Sequence, residues 1–332
     1  MTQHHDEDEP RFLVCAGMRN EGPFIVEWVS WYRMLGFEVL VVTNDCTDHS
    51  PALLDALQDA GWLTHQPHFP NPKQRPKRSA YNAMRAHPLV GEVDWVLVCD
   101  VDEFLVFHEA DSVADYVAGF IPPPLGFAFH WRAFGTSGLT QWQDGLVHRT
   151  FHAAAETNSR ANCFFKSLFR RPTDFEKFGD HSPKDYDGPW AVANHVWVDC
   201  NGRRLGRFVP DKWPQKATAA DRVRHDKAQM NHYILRTEEN FALKRGTPSA
   251  SAGRDRYTDD FYEKFNRAEI RDESALRFAQ RFDAVYAQAM ALPQVARLHH
   301  LSCADYVVRL AEKAGLRPEE DARWRAHMAA AA

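Results

Sequence analysis

Two aspartates one residue apart, Asp100 and Asp102, follow directly on the apolar run WVLVC (95–99) and open the segment DVDEF. In an extended segment residues i and i+2 face the same way, so the two carboxylates are expected to point together from the end of a strand, where they repel. A hard divalent cation relieves that repulsion, and Mg²⁺ or Mn²⁺ held by one or two carboxylates completes its shell with water and phosphate oxygens. The same acids also suit a turn cap or a pair with arginine. Their place after an apolar strand favours the ligand reading, because open α/β sheets bind ligands beyond the carboxyl ends of their strands.

Two further polar segments stand at equivalent places, MRNEG (18–22) after a first strand and TNDCTD (43–48) after a second. Asn20, Glu21, Asn44, Asp45 and Asp48 offer acceptors for a nucleobase and ribose; Glu21 and Asp48 equally suit helix mouths, where carboxylates are favoured. Arg19, Lys77 and Arg78 can neutralise phosphates, although a solvated basic loop, PHFPNPKQRPKR, accounts for the last two as simply.

The elements that must position these residues follow from periodicity. Residues 1–120 alternate short β-rich runs with helical periods, the pattern of βαβ units on a mostly parallel sheet. Strands are predicted at 11–16, 37–43, 62–66 and 95–99. Phe24, Trp28, Val29, Tyr32 and Leu35 form a helical stripe ending at Gly36, a second helix opens with Ser50 as N-cap and Pro51 at N1, and a third covers 79–87. Ser112 and Asp115 have capping-box spacing. Beyond them lie β-like runs at 126–134, 163–170, 191–199 and 228–235, expected to add mixed or antiparallel strands. Helical periods dominate from residue 237, and the Ala-rich tail at 327–332 is expected to fray.

Composition bounds the function. The chain has 332 residues, 44% of them hydrophobic, enough for a full core, so a disordered chain is excluded. A net charge of -5 gives no general attraction to nucleic acid or anionic lipid. No apolar run approaches a membrane span, and the start MTQHHDEDEP lacks the regions of a signal peptide, so a cytoplasmic protein is expected. The six cysteines show no CxxC pair and no zinc spacing and read as reduced core thiols.

Several strings together resemble a known family: RNEGPFIVEWVSWYRMLGFEVLVVTNDCTDHS, DWVLVCDVDEF, HWRAFGTSG, KSLFRRP and NHYILRTEENFALKRG. From residue 11 to 246 the chain is similar to bacterial family 2-like glycosyltransferases of GT-A fold, close to the family 92 group. The resemblance implies an α/β GT-A fold with a mostly parallel central sheet and flanking helices. It implies a disordered N-terminus at 1–10, a donor half at 11–120, an acceptor half at 121–246 and a helical C-terminal extension at 247–332. It also implies a nucleotide-diphospho-sugar donor, a UDP-sugar first among them, and transfer with inversion to a saccharide or glycoconjugate, as in polysaccharide biosynthesis, with peripheral membrane contact allowed. The divalent metal, Mn²⁺ or Mg²⁺, would be held by Asp102 with Asp100 nearby, and Val101 would border the donor. Where family 2 members usually read DDGSTD this chain has TNDCTD, which leaves Asn44 and Asp45 as base-reading candidates.

His232 in QMNHYILR matches the place of a late third metal ligand in such enzymes, and an imidazole there would tilt preference toward Mn²⁺; a core histidine satisfied by a carbonyl is the plainer account. Inversion needs a base for the acceptor hydroxyl, expected from the second half among Asp144, Glu156, Asp180, His181, Asp185 and Asp187. The segment FGDHSPKDYDG puts Asp180, His181 and Asp187 first. Lys166, Lys244 and Arg245 are candidates for the diphosphate, and Trp131 and Phe134 for either an acceptor platform or core. A nucleotidyltransferase on the same sheet is the alternative enzyme, disfavoured because CAGMRNEG lacks a Gly-rich phosphate loop. A non-catalytic carbohydrate-binding protein of the same fold is the other alternative.

Overall fold

A computed structural model of the chain describes residues 9–71, 73–189, 196–205, 216–249 and 253–332. The expected disordered start therefore lies largely outside the described residues, as does the first part of the β-like run at 191–199.

The first half alternates as its periodicity predicts: β1 (Phe12–Met18), α1 (Gly22–Met34), β2 (Glu38–Thr43), α2 (Ser50–Asp59), β3 (Thr64–Pro67), α3 (Pro76–Ala86) and β4 (Trp95–Val98). These strands lie parallel in the order β3-β2-β1-β4. The chain leaves β1 toward β2 on one side and returns to β4 on the other, which makes the carboxyl ends of β1 and β4 a topological switch point, where α/β sheets open a ligand crevice. β2 is buried along almost its whole length, as its continuous apolar run requires.

Beyond β4 the sheet is mixed. The chain continues through β5 (Glu103–Phe107), α4 (Val113–Ala118), β6 (Gly126–Ala133), α5 (Val147–Thr150), β7 (Ala153–Ala154), β8 (Phe165–Arg170), a hairpin of β9 (Phe175–Lys177) and β10 (Lys184–Tyr186), β11 (Trp197–Asp199) and β12 (Ala228–His232). The sheet order runs on as β4-β8-β6-β12-β5, with β11 beside β6. β8 is antiparallel to both β4 and β6, and β12 is antiparallel to β5. The sheet stays mostly parallel, as expected, since β6 runs parallel to both β11 and β12; β5 and β8 add the antiparallel neighbours, because they enter the sheet without the helical crossover that parallel neighbours need. Ser112 caps α4 as its spacing predicts, accepting from the Asp115 amide at 3.1 Å.

The remaining helices are α6 (Glu238–Lys244), α7 (Asp259–Phe265), α8 (Ala279–Met290), α9 (Val295–Ala314) and α10 (Ala322–Ala330), with a short β13 (Ile270–Arg271) paired to β7. Nearly every residue of α1 is buried, far more than the predicted stripe. The physical reason is that α8 and α9 cover the face of α1 turned away from the sheet, and one hydrophobic cluster runs from Phe12 through Trp28 and Trp31 to Phe282 and Leu310. At Gly22 a Cβ would come within 2.3 Å of the Ser302 Cβ, so only glycine admits this approach of α1 to α9. The Ala-rich tail, expected to fray, is helical through Ala330, with His327 and Ala331 buried. All six cysteines are free thiols, four of them buried. No helix among the described residues is long and apolar enough to cross a membrane.

Candidate active site

The turn between β4 and β5 carries Asp100, Val101 and Asp102, and α1 holds it in place. Trp28 Nε1 donates to the Asp100 carbonyl at 3.2 Å, Tyr32 Oη to the Glu103 carbonyl at 3.1 Å and Trp31 Nε1 to the Leu105 carbonyl at 2.9 Å. These aromatic side chains bury their rings in the core and spend their single polar atoms on the turn.

The turn is tight, closed by the Glu103 amide on the Asp100 carbonyl at 3.0 Å and by the Asp100 amide on Glu103 Oε2 at 2.7 Å. Asp100 and Asp102 therefore sit in a turn rather than in the extended strand that the sequence suggested. Each has its nearest cation on a different element, while Lys77 acts on both. Asp100 Oδ2 accepts from Lys77 Nζ at 2.9 Å and Lys166 Nζ at 3.1 Å. Asp102 faces Lys244 Nζ at 3.5 Å and His232 Nε2 at 3.7 Å. Val101 is a core side chain, 5% exposed.

Around Asp100 lies a network of three carboxylates on two lysines. Lys77 also reaches Asp180 Oδ1 at 2.5 Å, which accepts from Tyr81 Oη at 2.6 Å, and the wholly buried Lys166 lies 3.0 Å from Glu103 Oε2. Burial alone would raise the Asp180 carboxyl, but Lys77 and Lys166 outweigh it and hold it well below the usual carboxylate range. Glu103, buried and accepting from Trp131 Nε1 at 2.9 Å, is pushed the other way, because burial outweighs Lys166. Sequence reasoning missed Glu103 as a site residue; the available signal was an acid inside the apolar strand EFLVF, which needs a buried partner.

His232 stands across the β5–β12 pair from Glu103 and packs on Trp131 with ring centroids 4.0 Å apart. Burial, against the attraction of Asp102, lowers its pKa to about 3, so the ring is neutral and keeps a lone pair. Its Nδ1 is buried without a hydrogen-bond partner. His181 Nδ1 lies 2.9 Å from the Phe165 carbonyl, which can only accept, so Nδ1 carries the proton and Nε2 the lone pair. Burial, with Lys166, lowers its pKa to about 4.

The loops after β1 and β2 meet as expected. Arg19 Nε donates to the Asp45 carbonyl at 3.2 Å, and Asn20 exchanges two hydrogen bonds with Thr47, at 2.7 and 3.0 Å. Asn20 and Asp45 adopt φ of 56° and 47°, a region these two residue types tolerate. Asn44 Nδ2 donates to Asp45 Oδ2 at 3.0 Å. Glu21 Oε2 faces Arg236 at 3.6 Å, and the Arg236 guanidinium lies 3.4 Å above the Phe24 ring. Arg236 was also missed; only its place after the apolar run HYIL marked it.

Other candidates stand elsewhere. Asp48 binds the amide and hydroxyl of Ser50 at the mouth of α2, the capping role that the sequence also allowed. Arg78 is exposed on α3, and Arg245 pairs with Asp259 at 2.6 Å. The Asp187 amide donates to the Asp174 carbonyl, and Asp174 follows Arg171, whose amide donates to Asp94 just before β4. Asp187 therefore lies by the amino end of β4, opposite the Asp100 end, and the hairpin fold of β9 and β10 is what separates it from Asp180. Asp185 pairs with Lys177 on that hairpin, Glu156 is exposed, and Asp144 joins a histidine group on α9. Trp131 and Phe134 are 8% and 1% exposed, so both are core side chains: Trp131 lies on β6, an interior strand covered on both faces, and Phe134 follows its end and packs on Tyr233.

No family model matches the chain. Two curated plant proteins are similar to part of it. A glycosyltransferase family 92 protein of Ricinus communis is 32% identical over 139 residues, 40% of this chain and 24% of that protein. One of Oryza sativa subsp. japonica is 26% identical over 143 residues, 42% of this chain and 24% of that protein. The chain thus spans about a quarter of the length of the curated relatives it matches. Among solved structures, S. aureus TarS 1–349 aligns over 97% of this chain and 88% of its own at 13% identity and a TM-score of 0.36. The mannosyltransferase PcManGT from Pyrobaculum calidifontis, in complex with GDP-Man and Mn²⁺, aligns over 98% and 86% at 13% identity and a TM-score of 0.36.

Proposed function

We propose that the chain is a metal-dependent inverting glycosyltransferase of GT-A fold that takes a nucleotide-diphospho-sugar donor, a UDP-sugar first among them, and a saccharide or glycoconjugate acceptor. The observation that carries this reading is the pairing of Asp102 with a buried, neutral His232 beside the switch-point crevice. An ionised carboxylate and an unprotonated imidazole 3.7 Å apart form a donor set suited to a divalent transition ion. Asp102 and His232 would hold it. Asp100, already bound by two lysines, has the part of a positioning residue. When bound, such an ion stabilises the negative charge that develops on a departing diphosphate.

The chain's own residues supply the rest. Lys244 and Arg236 flank Asp102 with positive charge for the diphosphate, and the joined loops bearing Arg19, Asn20, Glu21, Asn44 and Asp45 receive the nucleoside. Asp180 is the base. Lys77 quenches its basicity at rest, and an incoming phosphate that draws Lys77 away restores it. His181 orients the acceptor beside it. Six free thiols agree with a cytoplasmic enzyme.

The decisive experiment titrates the protein with nucleotide diphosphates and nucleotide sugars in Mn²⁺, Mg²⁺ or chelator and follows the melting temperature. A metal-dependent rise with one nucleotide is expected. A melting temperature indifferent to every donor would leave a non-catalytic protein of the same fold.

A further inference from the structure

A second group of metal-type ligands stands apart from the crevice, where the loop before α5 meets α9 and α10. Asp144, His300 and His327 place one ligand atom each within 4.8 Å of one another. The Nδ1 atoms of His300 and His327 are 3.2 Å apart. Two imidazoles on one tetrahedral ion with bonds of about 2.0–2.1 Å have their nitrogens separated by about 3.3 Å, so the rings already stand at the edge length of such a site. His327 is 8% exposed, and Trp142 flanks its ring at 6.0 Å. Asp144 remains open to solvent, which leaves an entry path.

His299 and Cys303 adjoin the same carboxylate. His299 Nε2 lies 3.4 Å from Asp144 Oδ2 and 3.6 Å from Cys303 Sγ. The three residue types are those of a thiol triad, but the geometry is not. One ring nitrogen faces both acid and thiol, whereas a relay needs the acid on one nitrogen and the nucleophile on the other. Cys303 is fully buried, and burial pushes its thiol up. Nucleophilic catalysis is therefore excluded here, and His299 serves to fix the Asp144 carboxylate.

We infer that Asp144, His300 and His327 form a three-ligand site for one Zn²⁺-type transition ion, its fourth position open to water on the exposed Asp144 side, with His299 positioning Asp144. Its physical effect is to tie three pieces of chain far apart in sequence, since α10 otherwise meets this loop chiefly through Arg323, which binds the Trp142 carbonyl at 2.7 Å and Glu239 at 2.7 Å. A nitrogen-rich donor set selects Zn²⁺ over the hard cations that prefer all-oxygen shells.

The test uses metal-stripped full-length protein carrying Asp102→Asn, which removes the ion proposed for the crevice, and titrates Zn²⁺ alone. One Zn²⁺ per chain with Kd below about 1 μM, and a Zn²⁺-dependent rise in melting temperature, are expected. Co²⁺ should give the intense visible bands of a four-coordinate ion. His300→Gln and Asp144→Asn, both at solvent-accessible positions, should each weaken Zn²⁺ binding at least tenfold while the circular dichroism is unchanged. Retention of full affinity in both variants, or Kd above about 100 μM in the parent, overturns the site and leaves His300 and His327 as a simple hydrogen-bonded imidazole pair. Because the readout is taken with Asp102 already replaced, failure here is independent of the crevice.

Discussion

His232 lies directly opposite Glu103 across the antiparallel β5–β12 ladder, and this register brings its imidazole to 3.7 Å from Asp102, one residue upstream. His232 and Asp102 are 130 positions apart in the chain, and a slip of one residue in the ladder would turn His232 to the other face of the sheet. Trp131 completes the arrangement by packing on His232 and donating to Glu103.

Asp102→Asn should abolish the metal-linked thermal shift and lower transfer by about 10²-fold or more, the scale of losing one electrostatic stabiliser of a departing charge. The fold should survive, since the turn is held by backbone bonds and by Trp28 and Tyr32. Turnover and donor-linked shifts equal to the parent's would remove Asp102 from the metal site.

Lys166→Met should cost roughly 1–3 kcal/mol, because it removes the buried donor that Asp100 and Glu103 share and leaves Asp100 only Lys77. Urea denaturation measures the loss, and adding Glu103→Gln should restore part of it. A Lys166→Met protein as stable as the parent would show that the network is not coupled in this way.

Gly22→Ala should destabilise by about 1–3 kcal/mol through overpacking against Ser302. Gly22→Ala combined with Ser302→Gly should recover stability, which thermal melts of the pair would reveal. Additive losses would contradict the contact.

The contribution of His130 to stability should be lost as the solution is acidified from neutrality. His130 is wholly buried with a ring nitrogen 2.8 Å from the Thr218 hydroxyl, and burial lowers its pKa from 6.5 to about 4. The unfolded chain binds a proton between about pH 6.5 and pH 4 that the folded chain refuses, so this contribution is complete above pH 6.5 and lost as pH falls through that window. The loss from His130 alone is at most roughly 3 kcal/mol; His181 and His232 act in the same direction, and Glu103, whose carboxyl is pushed up to about 8 by burial, acts in the opposite one. Urea midpoints of the parent and of His130→Gln at pH 7 and 4.5 check the sign: the variant should lose less stability, or gain more, than the parent between the two.

The parallel half of the fold was legible because each strand and helix there is specified locally. A continuous apolar run such as EVLVVT and the stripe from Phe24 to Leu35 need no distant partner to be read. The meeting of the Arg19 and Asp45 loops follows from parallel pairing alone, which puts all carboxyl ends on one side. The all-round burial of α1 was not legible, because it depends on α8 and α9, which begin at Ala279 and Val295, at the far end of the chain.

The amino-acid sequence by itself determined that acids, amides and cations gather beyond the carboxyl ends of β1, β2 and β4, since strand direction and loop composition are local properties. Only the tertiary structure decided which of them touch. The turn at Asp100 gives its two carboxylates different nearest cations, β8 delivers Lys166 and β12 delivers His232, and the β9–β10 hairpin keeps Asp180 while removing Asp187. Those outcomes rest on register and on long-range packing between segments of high sequence separation, and no local pattern encodes them.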